Sequence, residues 1–115
     1  MPTVTYEAFD VVVVPFPFTD RAAARRRPAL VLSRAAALGS DGGHSVLAMI
    51  TSAENPAWPL DVRIKGLQAA GLPSPSVARM KLFTLDRSLI LRKVGRLARS
   101  DQDQVRKALR VLLPV

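Results

Sequence analysis

The sequence has no cysteine, a single histidine and few carboxylates, and these shortages exclude several kinds of chemistry. Without thiols the chain cannot form disulfides, cysteine-ligated metal sites or thiolate nucleophiles. His44 cannot form a two-histidine acid–base pair, and its glycine-rich surroundings are typical of a solvent-facing turn. The 9 Asp and Glu residues are scattered, which argues against a nuclease that holds Mg²⁺ with several convergent carboxylates. We therefore expect neither a metal nor another cofactor.

Long apolar runs are also missing. No stretch approaches the roughly 18 residues typical of a transmembrane helix, and the first ten residues lack the basic and apolar regions of a signal peptide. We therefore expect a cytoplasmic protein that does not bind membranes. Hydrophobic residues make up 49 % of the 115 residues, enough for a packed core, and the length predicts a single domain over residues 1–115.

Positive charge is abundant. The formal net charge is +8, and 13 of the 17 basic residues are Arg, whose planar guanidinium binds phosphate oxygens in pairs and stacks on bases. This bias favours nucleic acid or an acidic protein segment as the partner. Three consecutive arginines at residues 25–27 precede Pro28, which lacks an N–H group and therefore favours a strand edge or a strand's first position.

Short β-branched or alternating segments predict a mainly β fold, a small barrel or strongly bent sheet. We predict strands at residues 11–14, 29–33, 46–51, 60–64, 77–83 and 90–97, the last interrupted near Gly95. Residues 19–26 are predicted to be a loop, and residues 33–38 could form one helical turn. In the fifth strand, alternation predicts that Ala78, Met80 and Leu82 face the core.

The C-terminal segment has helical rather than strand periodicity. Apolar residues recur at helical spacing from Val105 to Leu112, after an S-x-x-D pattern formed by Ser100 and Asp103. The sequence thus predicts a C-terminal helix that is capped by Ser100 and ended by Pro114.

A phosphate-binding surface without metal, thiol or paired histidines still permits one reaction. RNA carries its own nucleophile, the 2′-hydroxyl, which can attack the adjacent phosphorus when a protein aligns it and stabilises the developing charge. DNA lacks this group, so the same site could bind DNA without cutting it by this route.

Five segments of the chain, in order and with conserved spacing, resemble the PemK/MazF family of type II toxin–antitoxin toxins. The similarity spans roughly residues 9–112. The segments are residues 10–20 (DVVVVPFPFTD), 26–33 (RRPALVLS), 49–52 (MITS), 75–79 (PSVAR) and 84–88 (TLDRS).

The resemblance implies an SH3-like barrel of five to seven short strands with a C-terminal α-helix, assembled as a homodimer. It implies a sequence-specific endoribonuclease that cleaves single-stranded RNA without metal, leaving a 2′,3′-cyclic phosphate and a 5′-hydroxyl. The family's essential Arg, just before the Pro, corresponds to Arg27, and its essential Thr, at the end of the next strand, corresponds to Thr51. Some members carry an acidic residue where this chain has Lys81.

Further residues are expected to contact RNA around this pair. They are Thr19, Asp20, Arg25, Arg26, Ser52, Arg79 and Lys81. For Arg79 the alternative is an ion pair on a barrel face, and for Thr51 it is a hydroxyl that caps its own loop. The expected partners are single-stranded RNA, a second copy of the chain, and a cognate antitoxin whose acidic tail competes for the RNA groove.

Two other functions remain open at this point. The chain could be a non-catalytic inhibitor on the same fold, for example one that binds DNA gyrase, although such a protein has no need for both Arg27 and Thr51. It could also be an RNA-binding relative that no longer cleaves, an alternative that Lys81 keeps open.

Overall fold

The β-branched and apolar segments form six antiparallel strands of one sheet in a computed structural model, which describes residues 5–16, 25–39 and 43–114. The strands are β1 (Asp10–Phe16), β2 (Arg25–Val31), β3 (His44–Ser52), β4 (Val62–Arg63), β5 (Ser76–Asp86) and β6 (Arg92–Arg96). A four-residue helix, α1 (Leu67–Ala70), follows β4; a 3₁₀ turn (Arg87–Leu89) follows β5; and α2 (Arg99–Leu112) ends the described chain. The predicted mainly β fold with a C-terminal helix is confirmed.

The sheet is strongly curled. Its strand order is β4-β5-β3-β2-β1-β6, yet α1, which follows the edge strand β4, packs against the opposite edge strand β6. Two glycines permit this approach. A Cβ atom on Gly95 would lie 2.4 Å from the Ala70 carbonyl carbon, and one on Gly71, whose φ is +70°, would lie 2.1 Å from the Val94 carbonyl oxygen. Any larger residue at either position would push α1 and the turn that follows it away from β6.

Each face of the sheet packs against its own hydrophobic cluster. Successive side chains of a strand point to opposite sides, so neighbouring residues belong to different clusters. On β1, Val11 belongs to a cluster that includes Leu30, Ile50 and residues of α2, whereas Val12 and Val14 belong to a second cluster with Ala29 and Leu47. The valine run is therefore buried on both faces. Ala78, with Met80 and Leu82 packed beside it, lies in the first cluster, as the alternation predicted.

The second strand is longer at its start than predicted. Residues 25 and 26, which were expected in a loop, belong to β2 because they pair with the end of β1, with Phe16 opposite Arg25. Pairing of β2 with β3 covers only residues 29–31, so Pro28 lies where that side of β2 has no partner strand, at an edge as predicted. Residues 33–38 contain a hydrogen-bonded turn rather than a helical segment.

Two other strands are shorter than predicted. Only Val62 and Arg63 pair in β4, because Leu60 has a φ of +67° that breaks the extended conformation of residues 60–64. Strand β6 begins at Arg92 rather than near residue 90, and its register with β1 shifts beside Gly95, the predicted interruption.

The predicted cap of the C-terminal helix is wrong. Helix α2 begins at Arg99 with Ala98 at the N-cap position, and no side chain caps it. Its start is set by a tertiary contact instead: the buried carboxylate of Asp101 accepts hydrogen bonds from the backbone N–H groups of Lys65 and Gly66, at 3.1 and 2.9 Å. Asp103 pairs with Arg106. The helix ends at Leu112, before Pro114 as predicted.

No helix in the described part of the chain is long and apolar enough to cross a membrane.

Candidate functional site

A pocket of about 210 Å³ lies where the last residues of β1 and β3 meet the first half of β2. Strand β5 and the connection between β3 and β4 complete it. The pocket, called the site pocket below, is lined by Phe16, Arg27, Met49, Ile50, Thr51, Asn55, Trp58, Arg79 and Lys81. It brings together four of the residues that the sequence singled out: Arg27, Thr51, Arg79 and Lys81.

Strand register explains why Arg27 and Thr51 share this pocket. Arg27 lies opposite Val14, and Ala29, two residues further along β2, lies opposite Met49 on β3. Because residues two apart share a face, Thr51 follows Met49 on the same side of the sheet as Arg27. Both side chains are half-buried. A guanidinium and a hydroxyl on neighbouring strands therefore face one pocket.

The Thr51 hydroxyl is oriented by a neighbouring amide. Asn55 Nδ2 donates a hydrogen bond to Thr51 Oγ1 at 2.6 Å. Because the oxygen accepts this bond, the hydroxyl proton remains free to be donated to another acceptor. The loop-capping role considered for Thr51 is found at its neighbour, where the Glu54 N–H donates to Ser52 Oγ at 3.2 Å.

Arg79 is held by Asp61 in a two-pronged ion pair. Arg79 Nε donates to Asp61 Oδ1 at 3.1 Å and Nη2 donates to Oδ2 at 3.0 Å, while Nη2 also donates to the Pro56 carbonyl at 2.8 Å. Only 9 % of Arg79 is exposed. The ion pair considered as the alternative for Arg79 is thus present, and it attaches the β3–β4 connection to β5.

The pairing also shifts the titration of both groups. Desolvation raises the pKa of Asp61, but the hydrogen bonds from Arg79 and from the Trp58 N–H, together with the charge of Arg79, outweigh it and hold the pKa below its usual value. The hydrogen bond to Asp61 in turn raises the pKa of Arg79, against the opposing effect of desolvation. Both groups are therefore charged at neutral pH.

Two aromatic rings flank the cations of the pocket. Lys81 Nζ lies 5.8 Å from the centre of the Phe16 ring and 6.0 Å from that of Trp58. The Arg79 guanidinium lies 5.0 Å from the centre of the Trp58 ring. Lys81 belongs to the part of β5 where the register with β3 shifts, an irregularity of the kind that re-aims side chains near functional sites.

The other predicted RNA contacts lie outside the site pocket. Ser52 lines an adjacent open cleft of about 430 Å³ together with Arg63 and Ser74. Arg25 shares the pocket's face of β2 without lining the pocket, whereas alternation directs Arg26 to the opposite face. Thr19 and Asp20 lie outside the described residues.

Sequence reasoning did not assign roles to Asn55, Trp58 and Asp61. A usable signal was present, because Trp58 is the only tryptophan of the chain and lies in a short connection rich in polar residues and proline, where a core residue is not expected.

The arrangement can bind an anion and donate hydrogen bonds to it. Arg27 and Lys81 supply positive charge, Thr51 supplies a hydroxyl, and the charge of Arg79 is balanced by Asp61. Among the residues that the structure describes, no three His, Cys, Asp or Glu side chains cluster as metal ligands. Phosphate is the anion that such a mixture of guanidinium and hydroxyl groups suits best.

The chain is similar in sequence and in fold to known proteins. The family model described as PemK-like, MazF-like toxin of type II toxin–antitoxin system matches residues 7–113. A crystal structure of MazE–MazF from Deinococcus radiodurans is similar at a TM-score of 0.75 and 28 % identity, covering 97 % of this chain and 99 % of that one. MazF alone from the same organism gives 0.73 and 28 %, covering 98 % and 100 %.

A more distant likeness shows the fold alone. An endoribonuclease in complex with its cognate antitoxin, from a mycobacterial species, is similar at a TM-score of 0.73 and 15 % identity, over 98 % of this chain and 97 % of that one. No curated protein matches the chain in sequence.

Proposed function

Because the chain belongs to the PemK-like, MazF-like toxins of type II toxin–antitoxin systems, we propose that it is an endoribonuclease that cleaves single-stranded RNA without a metal ion. The observation that carries the proposal is the convergence of Arg27 and the oriented Thr51 hydroxyl in one pocket. The sequence contains neither a thiol that could act as a nucleophile nor a pair of histidines that could act as acid and base.

In the proposed reaction the nucleophile comes from the substrate. The 2′-oxygen of the RNA forms a bond to the adjacent phosphorus while the bond from phosphorus to the 5′-oxygen of the next nucleotide breaks. The products are a 2′,3′-cyclic phosphate and a 5′-hydroxyl, so the 2′-hydroxyl loses a proton and the leaving oxygen gains one. The protein's task is to align these atoms and to stabilise the extra negative charge on the phosphorane.

Arg27 and Thr51 divide this task. The fixed positive charge of the Arg27 guanidinium stabilises the phosphorane oxygens, and its planar fork can contact two of them at once. Thr51 donates its hydroxyl proton in a hydrogen bond to a phosphate oxygen or to the 2′-oxygen, because Asn55 already occupies one acceptor position of Thr51 Oγ1. Lys81 adds attraction for the phosphate backbone.

Partners are proposed on the same basis. The 28 % identical relative was crystallised as MazE–MazF, which supports an antitoxin as the partner of this chain. An acidic antitoxin segment would neutralise part of the +8 charge and compete with RNA for the site pocket. A homodimer with RNA bound between protomers is the assembly we propose, and sedimentation equilibrium at micromolar concentration would contradict it by giving a monomeric mass.

The function is tested with purified protein, single-stranded RNA and the corresponding DNA, in buffer containing EDTA. We expect the RNA to be cleaved and the DNA to remain intact. Arg27→Ala and Thr51→Val should each lower the rate by about 10²-fold or more, the scale for loss of one transition-state donor. Arg110→Ala, which removes the same charge from the exposed face of α2, is the matched control.

Two results would contradict the proposal. Cleavage that EDTA abolishes and Mg²⁺ restores would require a metal mechanism. RNA binding without cleavage would instead indicate the non-catalytic inhibitor or RNA-binding relative.

A further inference from the structure

Trp58 is a large apolar side chain that the structure leaves outside the core. It is the only tryptophan of the chain, and 45 % of it is exposed, although it lines the site pocket together with Arg27 and Thr51. It belongs to neither of the two buried clusters of the sheet. Its position therefore does not follow from core packing.

The segment that carries Trp58 is nevertheless held in place. The Trp58 N–H donates to Asp61 Oδ2 at 2.9 Å, and the Asp61 N–H donates to the Trp58 carbonyl at 3.3 Å. Asp61 is itself fixed by Arg79, whose guanidinium lies 5.0 Å from the centre of the indole ring and also binds the Pro56 carbonyl. The exposed ring is thus carried by a backbone that is already held in place, so part of the ordering entropy is lost before a ligand binds.

We propose that Trp58 is a stacking platform for a nucleobase of single-stranded RNA, adjacent to the phosphate that Arg27 and Thr51 bind. The identity of the ligand rests on the proposed function. An indole face offers a base the same apolar, polarisable contact that bases offer one another, and such stacking accepts any of the four bases. The Asp61–Arg79 pair serves as the support that sets the height and tilt of the ring.

Charge beside the ring favours a nucleic acid strand over an apolar peptide. Lys81 Nζ lies between Trp58 and Phe16, at 6.0 and 5.8 Å from the two ring centres, and Arg27 lines the same pocket. A single strand presents alternating phosphates and bases, so it can place a phosphate on the cations and a base on the ring at the same time.

The lone tryptophan allows a direct test, because fluorescence excited at a wavelength that Tyr6 does not absorb comes only from the proposed platform. A 2′-O-methyl oligoribonucleotide, which lacks the nucleophile and stays intact, is titrated into the protein. We expect saturable quenching of the fluorescence. A series of the same oligonucleotide with one abasic position at a time should contain one member that binds with little quenching.

Variants test the same contact by affinity. Trp58→Ala should weaken binding of the oligonucleotide about 10- to 100-fold, whereas Trp58→Phe, which keeps an aromatic ring, should retain most of it. The slope of log Kd against log salt should stay unchanged in both, since no phosphate contact is removed. Val111→Ala removes an exposed apolar side chain from α2 and should leave the affinity unchanged.

Several outcomes would overturn the proposal. One is saturable binding without any change in fluorescence; another is an unchanged affinity in Trp58→Ala. A third is a Trp58→Ala variant that loses binding of an acidic peptide, or loses self-association, while it keeps the oligonucleotide, since the ring would then serve a protein interface. If Trp58→Ala does not fold, two measurements still test the proposal. It fails if the oligonucleotide does not quench the fluorescence of the unmodified protein, or if Trp58→Phe loses the affinity that an aromatic ring should retain.

The test separates this proposal from the proposed function. Quenching by the oligonucleotide in a protein that does not cleave RNA would support the platform and contradict the nuclease. Cleavage that is equally fast in Trp58→Ala, with no quenching in the unmodified protein, would contradict the platform and support the nuclease.

Discussion

Replacing Asp61 with Asn removes one negative charge from the support of the site pocket and changes the shape of the side chain very little. In the native protein the carboxylate accepts bonds from Arg79 Nε and Nη2 and from the Trp58 N–H. An Asn amide has one oxygen and one NH₂ group, so at least one of these donors would then face another donor. The Arg79 charge, 9 % exposed, would lose its counter-ion.

The expected loss of stability depends on how far the Arg79–Asp61 pair is buried. Breaking a fully buried pair destabilises a protein by about 3–5 kcal/mol, and an exposed pair contributes about 0–1 kcal/mol. The side chains of Arg79 and Asp61 are 11 % and 14 % exposed, so solvent screens the pair only in part. We expect Asp61→Asn to lower the free energy of unfolding by about 1.5–3 kcal/mol, the range for hydrogen bonds to charged groups.

The effect should depend on pH in one direction. The pKa of Asp61 is lowered in the folded protein, so its carboxylate stabilises the fold fully above the usual Asp pKa of about 3.9. That contribution is lost as the pH falls through the lower pKa of the folded state. The difference between the native protein and Asp61→Asn should be full at pH 7 and should shrink below about pH 3.9.

Urea unfolding followed by circular dichroism, at pH 7 and at several values below pH 4, measures both effects. Asp103→Asn is the matched control, because the same substitution breaks an ion pair whose side chains are 41 % and 55 % exposed. Its effect should stay within about 0.5 kcal/mol. Equal losses in the two variants, or a loss in Asp61→Asn that does not change with pH, would refute the reasoning.

Three further predictions test other parts of the molecule. Asn55→Ala should slow RNA cleavage, but less than Thr51→Val does, because it removes the amide that orients the Thr51 hydroxyl and not the hydroxyl itself. Cleavage rates are measured with a fluorescent RNA, and equal rates in Asn55→Ala and the native protein would contradict this. Arg25→Ala and Lys81→Ala should weaken RNA binding without base preference and flatten the slope of log K against log salt by about 0.7 per lost contact; an unchanged slope would place these charges away from RNA. Gly71→Ala should lower the unfolding temperature sharply, because the φ of Gly71 is +70° and a Cβ atom there would lie 2.1 Å from a carbonyl oxygen of β6. A melting temperature within about 2 °C of the native value would mean that this segment can move away from β6 without loss of stability.

Features of the fold that depend on local periodicity were predictable from the sequence. The β-branched run at residues 11–14 predicted the first strand, and the alternation around Ala78 indicated which face of β5 is core. Features set by tertiary contacts were not predictable. Ser100 satisfied the local rule for a helix cap, yet Asp101 reaches across to the backbone of Lys65 and Gly66 and sets the start of α2.

The candidate site shows the same division. Arg27 and Thr51 could be named because the resemblance to the PemK/MazF family assigns its essential Arg and Thr to these positions, before a strand proline and at a strand end. The partner of Arg79 could not, since Asp61 lies 18 residues earlier and meets it only when the β3–β4 connection folds onto β5. That Arg26 lies on the other face of the sheet from Arg27 could not be predicted, because residues 25 and 26 were expected in a loop and only the register of β2 with β1 shows them to be part of the strand.

The most direct test of the central claim is the chemistry of one cleaved bond. A single-stranded RNA with one cleavage position is prepared with and without a 2′-deoxy substitution at the nucleotide that supplies the 2′-hydroxyl, and both are incubated with the protein in EDTA. We predict that the unmodified RNA yields a 2′,3′-cyclic phosphate and a 5′-hydroxyl, and that the substituted RNA is bound but remains intact at that position. Cleavage of the substituted RNA at the same bond, or products with a 5′-phosphate, would contradict the account.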